Sequence, residues 1–135
     1  MRALGAQINY VLAWLIFAGA NLQIFLIALA VFGAASSEVH AWNGRILMLL
    51  GLLALLAALV ARSSRLNIGI TILMAVLLVP VQGALAYETF PSPWINALHG
   101  ATGMAILWLA YSLAYGRARA TVPATLQPSR LSEAD

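Results

Sequence analysis

Two residues carry most of the chemistry this chain could offer: His40 and His99, its only histidines, 59 positions apart. Each follows a glutamine and precedes a glycine at the same spacing, Gln23 and Gly44 for the first, Gln82 and Gly103 for the second. The pattern Gln-x16-His-x3-Gly therefore occurs twice in one register. A neutral imidazole offers a ring nitrogen to a metal near pH 7. Two of them on facing helices suit axial ligation of a haem iron from both sides. A glycine four residues on shares its histidine's helical face, where a missing side chain leaves room beside a ligand. The same small residues also let membrane helices approach closely. A glutamine inside an apolar span needs a partner, whether the other glutamine, a main-chain carbonyl or a ligand edge. Arg45 could pair with haem propionates or simply snorkel to the interface. Glu38, two residues before His40, could orient the imidazole or stand solvated.

The elements that must position these residues are four apolar stretches, at about residues 8–33, 41–61, 66–86 and 95–115. A helix of ~20 apolar residues crosses a ~30 Å hydrocarbon core. Strands with free edges would leave backbone groups unpaired in lipid, so the reading is helical. Of the 135 residues, 63% are apolar and 8% charged. Soluble domains hold about 45–50% apolar and roughly 25% charged residues. That balance excludes an ordinary soluble fold, a disordered chain and a nucleic-acid-binding module. Cysteine is absent, which removes disulfides and thiolate metal sites. No carboxylate pair, Ser/His/Asp set or phosphate loop is present. Pro80 lies inside the third stretch and is expected to kink that helix without ending it.

The expected fold is all-α: an integral membrane four-helix bundle over residues 1–120, followed by a flexible cytoplasmic tail at 121–135. If the helices alternate, six of the seven arginines fall on one side and Arg45 alone on the other. The positive-inside rule then puts both termini in the cytoplasm. At an offset of 59, Leu47 also meets Ile106, Leu50 meets Leu109, and Gly51 meets Ala110. A tandem repeat of two helices keeps its orientation, so its halves are related by a twofold axis along the membrane normal. His40 and His99 would then face each other at one depth near the outer side. Diagonal helices in such a bundle stand roughly 12–14 Å apart.

The pattern of Gln23, Ala28, Phe32-Gly33, Glu38-Val39-His40, Gly44 and Leu98-His99 resembles an uncharacterised bacterial family of small four-span membrane proteins. It is also similar to one four-helix half of haem A synthase, over about residues 8–118. That resemblance implies a b-type haem held by paired histidines at the outer ends of the second and fourth helices, here His40 and His99. In the synthase an acid and a His-Arg pair mark the first histidine of the catalytic half; here Glu38 is spaced differently and Ala41 follows His40. The likeness thus implies holding haem rather than oxidising a haem methyl group. The expectation is a haem b protein of the bacterial inner membrane that transfers electrons or supports a larger membrane redox complex. His40, His99, Gly44, Gly103, Arg45, Gln23 and Gln82 would form its site, with the two histidines as metal ligands. The rivals are a cofactor-free accessory subunit and a chlorophyll-type pigment-binding subunit. Ser36 and Ile95 weigh against the last, because small light-harvesting chains often carry alanine four residues before the ligand.

Overall fold

The computed structural model describes residues 2–86 and 92–120, with 117–120 as backbone only. Helix α1 runs Arg2–Val31, α2 Ser37–Val60 and α3 Arg65–Val76. A π-helical turn over Leu77–Val81 then leads into α4, Gln82–Ala86, and α5 covers Pro93–Ala120. Among the described residues all regular structure is helical, and Arg2–Val31, Ser37–Val60, Arg65–Ala86 and Pro93–Gly116 are each long and apolar enough to cross a membrane. The expected tail at 121–135 lies outside the described residues.

Helix α1 starts earlier than its apolar stretch suggests. Gly5 lies against the end of α2, where an added Cβ would stand 3.1 Å from the Ala61 nitrogen and 3.2 Å from the Ala57 oxygen. Packing thus extends the helix beyond its apolar run. The helix stops in a Schellman turn: Gly33 takes a φ of +72°, and Ala34 donates to the Leu29 carbonyl at 2.8 Å. Helix α2 ends the same way, with Ser63 donating to Ala58 at 3.1 Å. There the left-handed position is held by Arg62, at φ 50°. The Ser64 hydroxyl accepts from the Asn67 N–H at 3.3 Å and caps α3.

Pro80 leaves the third span unbroken. The proline lacks an N–H and its ring crowds the carbonyl four residues back. The widened turn relieves both, and the Gln82 N–H reaches back to the Leu77 carbonyl.

The four spans pack around a square. Helix α1 lies against α2 and α5, and the third span lies against the same two helices. Among the described residues the diagonal partners have no Cα atoms within 8 Å of each other. The seams are lined by small buried residues, among them Ala13, Ala54, Ala58, Ala110 and Ala114. Large apolar side chains such as Phe25, Leu49, Leu56 and Trp108 point outward. Lipid solvates those side chains as well as a core would, so close backbone approach does the packing.

Candidate functional site

His40 lies in the first turn of α2 and His99 in the second turn of α5, so the pair occupies diagonal helices at one end of the bundle. Their ring centroids are 6.2 Å apart, with planes inclined at 57°. Both residues are partly buried. The facing arrangement expected from the spacing is present.

Gln23, on α1, secures the first ring. The main-chain carbonyl of Gln23 lies 3.1 Å from His40 Nδ1. A carbonyl only accepts, so Nδ1 carries the proton and Nε2 bears the lone pair. That lone pair faces the Gln23 amide nitrogen at 3.1 Å. The same nitrogen donates to the His40 carbonyl at 2.9 Å. Asn43 completes the cluster, donating to Gln23 Oε1 at 2.6 Å and to the Gly19 carbonyl at 3.0 Å. Each amide hydrogen of Gln23 and Asn43 therefore has an acceptor.

The second half repeats part of this. The Gln82 amide nitrogen donates to the His99 carbonyl at 3.0 Å and to the Thr102 hydroxyl at 3.1 Å. Thr102 stands where the offset of 59 places the partner of Asn43. A hydroxyl has one hydrogen, and Thr102 directs it to the carbonyls of Leu98 at 2.9 Å and His99 at 3.0 Å. It has none left for Gln82 Oε1. Among the described residues, Gln82 Oε1 and His99 Nδ1 are buried without a hydrogen-bond partner.

Gly44 makes room for the Gln23 amide, whereas a methyl group at Gly103 would be in ordinary contact with Gln82. A Cβ on Gly44 would stand 3.2 Å from Gln23 Nε2, and one on Gly103 would stand 3.6 Å from Gln82 Nε2. Arg45 is not part of the cluster: it is exposed, with its guanidinium carbon 4.7 Å from the centroid of the Trp42 ring. Glu38 is exposed as well, and the orienting bond to His40 comes from the Gln23 carbonyl. Six polar residues from all four spans thus meet at one level, and the histidines bridge the diagonal. Asn43 and Thr102 were not singled out from the sequence. The shared offset that pairs the histidines also pairs these two, and both are polar within apolar surroundings.

Among the described residues no group of three or more His, Cys, Asp or Glu side chains forms a metal cage. Two imidazoles and the amides around them are the donors on offer. The fold and the cluster define an all-α bundle of membrane-crossing length with a polar bridge near one end. No protein-family model, curated protein or solved structure matches the chain.

Proposed function

We propose that this bundle is a membrane protein that holds one b-type haem between His40 and His99. The observation that carries the reading is the 6.2 Å between ring centroids on diagonal helices. A metal–imidazole bond of ~2 Å and about 1.1 Å from nitrogen to ring centre set two axial rings roughly 6 Å apart. The tautomer supports it too. A metal-binding histidine commonly donates its other ring N–H to a carbonyl, as His40 Nδ1 does to Gln23. Holding the group requires the Gln23 amide to release the Nε2 lone pair. The Gln82 and Gln23 amides beside Gly103 and Gly44 must also yield space. Arg45, exposed beside Trp42, would pair with the propionates of the group.

A haem with two histidine ligands exchanges single electrons and has no vacant position for substrate. The role is electron transfer or redox support of a larger membrane complex. The arginine pattern favours both termini on the cytoplasmic side, and the resemblance to a bacterial family implies the inner membrane. A tandem duplication accounts for the paired chemistry: both glutamines bond the carbonyl of the histidine 17 residues on. It also accounts for burial at matched positions, Ile16 with Ala75 and Leu47 with Ile106.

One observation favours a second reading, a cofactor-free accessory subunit. Both ring nitrogens of His40 already have partners, so the Gln23 cluster acts as a clamp between α1 and α2 without any ligand. A reduced-minus-oxidised absorption spectrum of protein expressed with ample haem separates the two. Haem bands that vanish in both His40→Ala and His99→Ala support the cofactor. A colourless, folded protein leaves the clamp.

A further inference from the structure

Helix α1 buries Leu12, Ala13, Ile16 and Ala20 against the bundle and turns Val11, Trp14, Ala18, Asn21 and Phe25 outward. The outward residues recur at spacings of 3, 4, 3 and 4, the period of a seam between two packed helices. All but Asn21 suit lipid. At 1.5 Å per residue, Asn21 stands about 15 Å from Val31 and about 28 Å from Arg2 along α1, inside a hydrocarbon core of ~30 Å. One amide hydrogen goes to the Phe17 carbonyl of its own helix at 2.8 Å. The other hydrogen and Oδ1 have no partner among the described residues. Hydrocarbon offers neither donor nor acceptor, so an outward amide at this depth is costly until another protein group meets it. Beside it, Phe17 joins Met104, Leu107, Trp108 and Tyr111 of α5 to line an apolar groove of about 200 Å³.

We propose that this face of α1 joins two copies of the chain, with the Asn21 amides bonded to each other across a twofold axis along the membrane normal. Copies inserted in one orientation carry Asn21 at one depth, so such an axis brings the two amides level. An amide is its own complement: each donates its second hydrogen to the other's Oδ1. The seam holds no charge, so nothing on it calls for a partner of opposite charge. Ala18, one turn from Asn21, lets the two helices come close. The groove beside Phe17 leaves a hole for an apolar side chain of the facing copy. A lipid chain fits that groove too, but it brings no group that bonds Asn21. The inference uses neither histidine and stands apart from the haem reading.

The test is energy transfer between two dye-labelled populations of the full chain in phosphatidylcholine–phosphatidylglycerol vesicles, read against the protein-to-lipid ratio. The chain has no cysteine, so one appended after Asp135 carries the dye. Transfer should rise with that ratio as a two-chain equilibrium and fall when unlabelled chain is added. Asn21→Leu loses no bond to the rest of the bundle, so its helical circular dichroism should be unchanged while it associates about tenfold more weakly. Oxidation of otherwise unlabelled chains supplies a second readout. Phe25→Cys should form a covalent dimer, whereas Leu73→Cys, exposed on α3 across the diagonal from α1, should not. Absence of transfer at every ratio, the result if lipid alone covers the face, overturns the proposal. Undiminished association of Asn21→Leu does the same, as does a dimer through Leu73→Cys but not Phe25→Cys. Phe25→Cys that cross-links in its native membrane only to a different protein also overturns it.

Discussion

His40 and His99 bring their ring centroids within 6.2 Å of each other, although their helices have no Cα atoms within 8 Å. The bundle is thus bridged across its diagonal by side chains alone. The glutamine of the preceding span positions each histidine's main chain, and the cluster is tied to all four spans. Polar groups at this depth are costly without partners, which gives each hydrogen bond a measurable consequence.

Gln23 and Gln82 are equivalent in sequence but unequal in bonding. Gln23→Ala strips partners from His40 Nε2, the His40 carbonyl and Asn43. Gln82→Ala removes bonds to the His99 carbonyl and Thr102 and deletes an oxygen that had none. Hydrogen bonds between membrane helices contribute about 0.6 kcal/mol each, up to ~2. Reversible unfolding in mixed micelles should show Gln23→Ala costing about 2 kcal/mol and Gln82→Ala about 1 kcal/mol or less. Equal losses would contradict the asymmetry.

Thr102→Asn should stabilise the chain. An amide at position 102 supplies the donor that Asn43 provides in the first half, and it reaches an acceptor that is now buried and unpaired. The expected gain is about 1 kcal/mol in the same unfolding assay. A loss of stability would show that Gln82 Oε1 is satisfied by some other means.

Arg62 occupies the left-handed position at the end of α2, at φ 50°. A side chain costs roughly 1 kcal/mol there, and glycine is free of that cost. Arg62→Gly should raise the unfolding free energy by about that amount, whereas Arg62→Val should lower it. A drop for Arg62→Gly would mean that the charge matters more than the backbone.

Two glycines test the close packing of the spans. A Cβ on Gly5 would press on the backbone of Ala57 and Ala61 at 3.1–3.2 Å, so Gly5→Ala should separate α1 from α2 and cost about 1–3 kcal/mol. Gly69 has nothing within 4 Å of its added Cβ and lies within α3. Gly69→Ala should be neutral or add up to about 1 kcal/mol through helix propensity.

The four spans were legible because each is a long, predominantly apolar run with most breakers in the connectors, and a bilayer allows such runs little but helix. The facing histidines were legible from a shared register at an offset of 59. What fills the space beside Gly44 was not. Helical spacing puts a glycine on its histidine's face, but it does not say that a glutamine from the neighbouring helix enters that niche. Arg45 was read by its side of the membrane, whereas its place over Trp42 depends on rotamers within one turn of α2. The first turns of α1 were missed because they are held by contact with α2, which an apolar count does not register. The π-helical turn at Pro80 is a backbone adjustment with no compositional signature.

The most direct test of the central claim is the haem content of the purified full chain after expression with excess haem, read as a pyridine haemochrome spectrum. One b-type haem per chain, lost in both His40→Ala and His99→Ala while the helical circular dichroism is unchanged, is the predicted result. A folded wild-type chain with no haem, or one whose haem survives both substitutions, would contradict it.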